Sequence, residues 1–229
     1  MSTAKASFII VAMDVLDVRK VTVDHSAAPP LLQRLTPVLI LGGACWLMFV
    51  LNNLMFHGHF TQYGIIPRRV SSLPGIVWSP FLHFSFKHLA ANTVPLLVLG
   101  AIICARNRKE FTLITIFGIT LTGALTWLIG RNAIHIGASG LVFCFFGYLA
   151  SLALFNRDFP TLLLSVACLL GYGGMLRGVL PTSAPVSWES HLAGALSGIV
   201  LAWFTSKLKE TPNNEGTNPS NIPSQPPAP

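Results

Sequence analysis

The chain has 229 residues, of which 52% are hydrophobic and only 10% are charged, and its formal net charge at pH 7 is +7. Soluble domains carry about 25% charged residues, so the composition excludes an ordinary soluble domain and predicts an all-α polytopic membrane protein. The basic residues lie at the ends of apolar runs and not in one patch. This pattern argues against nucleic-acid binding and is typical of membrane topology signals.

Both ends of the chain are polar, which predicts that they form tails outside the membrane domain. Residues 1–33 mix acidic and basic side chains and end in Pro29-Pro30, so we interpret them as a cytoplasmic N-terminal tail. Residues 210–229 are rich in Pro, Asn and Ser and predict a disordered C-terminal tail, because they hold too little apolar surface to bury. One membrane domain is expected between them, over residues 34–209.

Six apolar segments follow one another in this central region. The predicted membrane spans are residues 36–55, 88–105, 111–130, 139–155, 159–176 and 190–206. The fourth is at the short end of the range of lengths that cross a bilayer. We therefore expect its helix to begin below the membrane surface, with loop 131–138 dipping in and lining a cavity or packing on protein.

The connections between the segments predict topology. Loop 56–87 is long and apolar, which indicates packing into the outer leaflet or against the other helices. Ten of the fifteen Lys and Arg residues fall on the side that holds both termini, and five fall on the other side. Because cytoplasmic loops carry the excess of basic residues, both termini are predicted to be cytoplasmic.

Ser139 opens the fourth segment, in the run Gly137-Ala138-Ser139-Gly140. The N–H groups of a first helical turn have no intrahelical partner, and they can hold a developing negative oxygen. A buried serine with such donors around it is a candidate nucleophile. The alternative is that the small residues only allow close helix packing.

Polar residues open two other spans at the same depth and on the same side. They are His191 in the sixth segment and His88 in the second, with Asn92 one turn further on. Each histidine alone could be an interfacial anchor, but their convergence favours a site. His191 could take the serine proton, and His88 and Asn92 could donate to a substrate oxygen. No Asp or Glu lies in the predicted spans to orient the imidazole, and Glu189 falls in a predicted loop, so a Ser–His pair without a third member is expected.

Packing residues complete the predicted constellation. Phe143, one turn beyond the serine, is placed to be an aromatic platform for His191, although ordinary core filling is the alternative interpretation. Gly194 and Gly198 form a G-x-x-x-G pattern on the face of His191. Small residues let helices approach closely, so this face is expected to pack on the fourth helix and bring the histidine to the serine.

These residues resemble the rhomboid family of intramembrane serine proteases. The match covers roughly residues 36–206 and rests on His88-x-x-x-Asn92, Gly137-x-Ser139-Gly140, and His191-x-x-Gly194 with Gly198. The resemblance implies a six-transmembrane-helix rhomboid-like bundle, with Ser139 as nucleophile and His191 as general base. It also implies an oxyanion site made by the Ser139 backbone, His88 and Asn92, with Gly137 as the neighbouring loop glycine. Loop 177–189 resembles the movable cap of the family.

The function that follows is a serine endopeptidase of the bacterial inner membrane that cleaves single-span membrane proteins in or near the bilayer. Its expected partners are transmembrane substrates and lipid; no nucleic acid, metal or organic cofactor is implied, and the oligomeric state stays open. The alternative is an inactive rhomboid-like protein that binds membrane clients, against which the presence of Ser139 and His191 argues. A transporter finds little support, because no internal repeat is visible.

Overall fold

The computed structural model of the protein describes residues 31–181 and 186–210. Within these ranges the regular structure is helical, apart from one isolated antiparallel bridge between Ile65 and His135. Most of the predicted tails, residues 1–30 and 211–229, lies outside the described residues. Residues 31–33, predicted as tail, instead belong to the first helix, which begins at Leu31.

Within residues 31–181 and 186–210, six long helices follow the order of the predicted spans. They are α1 (Leu31–Leu54), α2 (Phe86–Arg106), α3 (Arg108–Ile129), α4 (Ser139–Phe155), α5 (Phe159–Tyr172) and α6 (Trp188–Glu210). Among the described residues, four segments are long and apolar enough to cross a membrane: Leu32–Leu54, Phe86–Arg106, Arg108–Ile129 and Phe159–Val179. The chain is therefore a multi-pass membrane protein. The helix α4 is apolar but shorter, with 17 residues.

The helix ends differ from the predicted ones where capping side chains or glycines act. Ser85 caps α2, since its hydroxyl accepts a hydrogen bond from the His88 N–H at 3.2 Å. Asn107 caps α3 in the same way, accepting from the Lys109 and Glu110 N–H groups. The α-helix α5 ends at Tyr172 and not at residue 176, and a 3₁₀-helix, Gly173–Val179, continues the chain. Its glycine-rich sequence disfavours α-helix.

The centre of the bundle is α4, whose side chains are buried along almost the whole helix. Its apolar surface on all sides is typical of a fully enclosed helix. Glycines allow α6 to pack directly on it: a Cβ atom added to Gly194 would overlap the Gly140 carbonyl oxygen, and one added to Gly198 would overlap the Cys144 carbonyl oxygen. The backbones of α4 and α6 therefore touch without side chains between them.

The long first loop packs against the helices. It contains a one-turn helix, Gly75–Trp78, and three 3₁₀ segments, His59–Tyr63, Val70–Ser72 and Ser79–Phe81. Ile76 lies against α3, where a Cβ atom added to Gly123 would come within 2.6 Å of the Ile76 Cγ2 atom. The bridge between Ile65 and His135 then ties this loop to the segment that precedes Ser139.

A buried polar cluster closes the other end of the bundle. Glu110 in the first turn of α3 is 5% exposed, and its carboxylate accepts a hydrogen bond from the Tyr148 hydroxyl of α4. Its other oxygen lies 2.9 Å from the Nζ atom of Lys209, in the last turn of α6. The cluster joins three helices at the end of α6 that lies far from His191.

Candidate active site

Ser139 begins α4, directly after a sharp turn of the chain. The turn requires a glycine, because Gly137 has a φ of +113°, which L side chains rarely adopt. The Gly137 N–H donates to the Ser79 carbonyl at 2.8 Å, so the first loop holds this turn in place. Ser139 is thereby fixed at a helix N-terminus, where N–H groups lack intrahelical acceptors.

The Ser139 hydroxyl and the His191 imidazole are hydrogen-bonded. The Oγ atom of Ser139 lies 2.9 Å from the Nε2 atom of His191, and the Nδ1 atom of His191 lies 2.9 Å from the Gly178 carbonyl oxygen. A carbonyl oxygen only accepts, so Nδ1 carries the hydrogen of the neutral ring and Nε2 is the acceptor for the serine proton. This is the tautomer that a general base requires.

An aromatic ring supports the imidazole. Phe143 and His191 are stacked, with ring centroids 4.2 Å apart and an angle of 9° between the planes. Both side chains are buried, at 5% and 8% exposure respectively. The imidazole is therefore held on its face by Phe143, while hydrogen bonds hold it at both nitrogens.

His88 and Asn92 lie beside the turn that leads to Ser139. A Cβ atom added to Gly137 would lie 2.6 Å from the His88 Cε1 atom and 3.3 Å from the Asn92 Nδ2 atom. The Asn92 Nδ2 atom is buried and has no hydrogen-bond partner among the described residues. Since buried donors are usually paired, this amide is a donor available to a ligand at Gly137 and Ser139.

These residues line a cavity of about 1570 Å³. Its wall includes the serine, both histidines and the asparagine of the candidate site, together with side chains of the loops 84–87 and 131–136, of α5 and of Val186 and Ser187. The cavity is large enough for an extended peptide segment, since ligand pockets are typically about 300–1,000 Å³. Among the described residues, no group of three or more His, Cys, Asp or Glu side chains could hold a metal ion.

Comparison with known proteins assigns the fold to a family. Residues 71–208, more than half of the chain, match the family model of the Rhomboid domain. The chain belongs to the rhomboid family. The prediction made from the sequence is thus confirmed at the level of the family.

Three proteins illustrate the range of sequence similarity to this chain. An uncharacterized protein of Mycobacterium tuberculosis is 35% identical over 186 residues, which are 74% of this chain and 78% of that protein. An uncharacterized protein of Mycobacterium leprae is 36% identical over 170 residues, 70% of this chain and 67% of the relative. Rhomboid-like protein 11, chloroplastic, of Arabidopsis thaliana is 27% identical over 191 residues, 72% and 66% of the two chains.

His83 is a residue of this rhomboid site that the sequence analysis missed. It is 2% exposed, its Nε2 atom accepts a hydrogen bond from the Ala138 N–H at 3.3 Å, and its ring packs edge-on against His88 at 5.1 Å. Burial, with the charge of the neighbouring His88, lowers the pKa of His83 from 6.5 to about 4. A second histidine five residues before His88 was the available signal, but no helical periodicity pointed to it because it lies in a loop.

Glu189 was predicted to lie in a loop and instead lies in the first turn of α6. Its carboxylate binds Arg131 and does not bind His191, whose Nδ1 partner is Gly178. The carboxylate is therefore not the third member of a catalytic triad in this rhomboid protein.

His135 adds a second polar link between the chain around Arg131 and the predicted cap loop 177–189. Its Nε2–H donates to the Arg131 carbonyl at 3.1 Å, and its Nδ1 atom accepts from the Ser187 hydroxyl. Burial lowers the pKa of His135 from its usual 6.5, against smaller opposing effects of the Arg131 carbonyl and of Glu189. The neutral ring thus links the chain before Ser139 to the chain before α6. Residues 182–185 of the predicted cap loop 177–189 lie outside the described residues.

Proposed function

We propose that this rhomboid protein is an intramembrane serine endopeptidase, with Ser139 as nucleophile and His191 as general base. The observation that carries the proposal is the 2.9 Å contact between the Ser139 Oγ atom and the His191 Nε2 atom. A serine hydroxyl is a weak nucleophile unless a positioned base takes its proton. His191 is buried and Ser139 is half-buried, and both line the large cavity, so the serine is open to a substrate while its base is held in place.

The reaction follows from this pair by acyl transfer. The Ser139 oxygen attacks the scissile carbonyl carbon while its proton moves to the His191 Nε2 atom. The peptide C–N bond then breaks, and the imidazolium returns the proton to the leaving amine. Water, deprotonated by the same imidazole, hydrolyses the acyl-enzyme and releases the second product.

The negative oxygen of the tetrahedral intermediate needs donors close to Ser139. The Ser139 backbone N–H, the Asn92 amide and the His88 imidazole are assigned this role, with Gly137 allowing their close approach. Support comes from the unpaired, buried Asn92 Nδ2 atom and from the contacts of His88 and Asn92 with the Gly137 position. One donor of this kind typically contributes roughly 3–4 kcal/mol to catalysis.

We assign all six long helices to membrane spans, with both termini in the cytoplasm and the protein in the bacterial inner membrane. The helix α4 has 17 residues, which is roughly 25 Å at 1.5 Å per residue, less than the ~30 Å of a hydrocarbon core. Ser139 would then lie below the membrane surface. The helix α6 ends with Lys207 and Lys209, which agrees with a cytoplasmic C-terminus.

The proposed substrates are single-span membrane proteins. A helical peptide bond is shielded by its own backbone hydrogen bonds, so the segment to be cut must unwind to enter the cavity. Small or helix-breaking residues near the cut bond favour that unwinding. Only a transmembrane substrate reaches a serine at this depth without leaving the bilayer.

The test is cleavage of a fluorescent single-span substrate by the purified protein in lipid vesicles, with Ser139→Ala and His191→Ala beside the wild type. Val94→Ala, at an exposed position of α2, is a matched control for substitution within a helix. We expect cleavage by the wild type and the control only. Binding without cleavage by a folded wild type, over several substrates, would replace the proposal with the client-binding function. Cleavage by Ser139→Ala would show that another group is the nucleophile.

A further inference from the structure

The Nδ1 atom of His191 needs a hydrogen-bond acceptor if the Nε2 atom is to act as the base. In a Ser–His–Asp triad a buried carboxylate binds the Nδ1–H group, which fixes the tautomer and the direction of the ring. Here the group at that place is the backbone carbonyl of Gly178, 2.9 Å from the Nδ1 atom. The nearby carboxylate of Glu189 is directed to Arg131 instead.

The Gly178 backbone can approach the imidazole because glycine has no side chain. A Cβ atom added at Gly178 would lie 2.8 Å from the Phe143 Cζ atom and 3.2 Å from the His191 Nδ1 atom. Both neighbours are rings that are already stacked on each other, so neither is free to move away. Glycine is therefore required by space, and not by backbone conformation, since Gly178 is absent from the residues with positive φ.

The place of Gly178 in the chain gives this contact a further meaning. It lies in the 3₁₀-helix Gly173–Val179, which continues α5 and leads towards the cap segment before α6. The same segment carries Gly173 and Gly174, around which nothing lies within 4 Å of a Cβ position. One stretch of chain thus combines loosely packed glycines with a single tight contact to the base.

We propose that Gly178 is a positioning residue, whose carbonyl oxygen takes the place of the triad carboxylate and holds His191 in the tautomer that accepts the Ser139 proton. The inference rests on the proposed peptidase function. Its consequence is that the base is correctly oriented only while the segment Gly173–Val179 is seated on Phe143 and His191. Displacement of this segment frees the Nδ1–H group, and the imidazole then loses both its direction and its preferred tautomer.

The tautomer of His191 tests this directly. The protein with ¹⁵N-labelled histidine is examined in lipid vesicles, and the His191 signals are assigned by subtraction of the His191→Gln spectrum. At a pH where the ring is neutral, we expect the hydrogen on Nδ1 in the wild type. A neutral wild-type ring that carries its hydrogen on Nε2 would overturn the inference, whatever the variants do.

Activity is compared between Gly178→Ala and the matched control Gly174→Ala, in the same 3₁₀-helix. Cleavage and the rate at which a fluorophosphonate labels Ser139 are both measured; labelling forms the Oγ–P bond, breaks the P–F bond and needs the base to take the serine proton. For Gly178→Ala we expect kcat and the labelling rate to fall at least ~10-fold, while KM changes less than ~2-fold. The fall in kcat should be smaller than the ~10⁴-fold loss that follows removal of a triad carboxylate. Gly174→Ala should match the wild type.

The two proposals fail in different ways. Equal kcat and equal labelling for the two alanine variants would overturn the role of Gly178 and leave the peptidase function intact. A wild type that neither cleaves nor is labelled would overturn the peptidase function itself. A Gly178→Ala protein in which the His191 hydrogen has moved to Nε2 would establish the positioning role by a signal that general loss of stability does not produce.

Discussion

The Oε1 atom of Glu189 lies 3.3 Å from the backbone nitrogen of Arg131 and 3.6 Å from its Nε atom. Arg131 belongs to the connection that leads to Ser139, and Glu189 lies two residues before His191. This one carboxylate therefore joins the two segments that carry the candidate catalytic pair, although they are far apart in the sequence.

Replacing Glu189 by alanine should separate these segments. The partly buried Arg131 N–H loses its acceptor, and a hydrogen bond of this kind typically contributes about 0.5–1.5 kcal/mol. The loop before Ser139 thereby loses one of its anchors. We expect a lower thermal midpoint in lipid and a lower kcat with little change in KM. Glu189→Gln keeps an oxygen at Oε1 and serves as the control; if it loses as much activity as alanine, the charge and not the hydrogen bond is what matters.

Asn92→Ala should slow cleavage less than Ser139→Ala does. One oxyanion donor of several is lost, which corresponds to about 10²–10³ in kcat, whereas loss of the nucleophile removes the acyl-enzyme route altogether. The measurement is kcat and KM in lipid, with Val94→Ala on the exposed face of the same helix as control. Equal and complete loss in a folded Asn92→Ala protein would contradict this division of roles.

Gly194→Ala should force α4 and α6 apart. The added methyl group would overlap the Gly140 carbonyl oxygen, and backbone atoms cannot be moved aside as a side chain can. Overpacking of this kind typically costs about 1–3 kcal/mol, and it lengthens the distance between Ser139 and His191. We expect losses of both thermal stability and activity. Gly43→Ala in α1, where nothing lies within 4 Å of the Cβ position, should behave as wild type.

Tyr148→Phe tests whether the distant polar cluster stabilises the bundle without taking part in the chemistry. The variant removes a hydrogen bond to the buried Glu110 carboxylate, and a hydrogen bond to a charged group contributes about 1.5–3 kcal/mol. Thermal unfolding should shift to lower temperature, while kcat below the transition stays within ~2-fold of wild type. Tyr63→Phe, at an exposed position of the first loop, is the control. A large fall in kcat for a fully folded Tyr148→Phe protein would show that the polar cluster also affects the chemistry.

Stability should fall on acidification because of His83. Its pKa is about 4 in the folded protein and 6.5 as the ordinary value, so between these values the unfolded chain binds the proton more readily. The contribution of His83 is complete above pH 6.5 and is lost as the pH falls towards 4, a total of about 3 kcal/mol at 1.36 kcal/mol per pKa unit.

Thermal midpoints in lipid between pH 7 and pH 4 measure this effect. Since a protonated Nε2 atom cannot accept from the Ala138 N–H, the turn before Ser139 loosens at the same time. His83→Gln has a side-chain oxygen and no titrating group, so its midpoint should depend less on pH. The remaining dependence is assigned to other histidines, among them His135, whose pKa is also lowered. An unchanged slope in the variant would rule out His83 as a source.

Local patterns in the sequence determined the order and approximate ends of the long helices within the described residues. The start of α4 at Ser139 and its end at Phe155 were predicted as the structure has them, because the small residues Gly137 and Ala138 precede the apolar run and the polar residues 156–158 follow it. The other helices differ by several residues, since capping side chains such as Ser85 and Asn107 act at positions that hydropathy does not mark. The family could also be predicted, because its residue patterns are short and each lies within one helix or directly before it.

The tertiary structure decided which groups from outside α4 and α6 hold Ser139, His191 and the neighbouring chain in place. The His83 acceptor and the link between Glu189 and Arg131 join segments 55 and 58 residues apart, and the Gly178 carbonyl reaches His191 from a separate helix. Two of these three contacts use backbone atoms of residues whose side chains give no sign of the interaction, and the third depends on where α6 begins. A side-chain pattern reports periodicity and charge along one segment. It does not report which backbone N–H or carbonyl of another segment comes within hydrogen-bond distance, because packing of the whole bundle sets that distance.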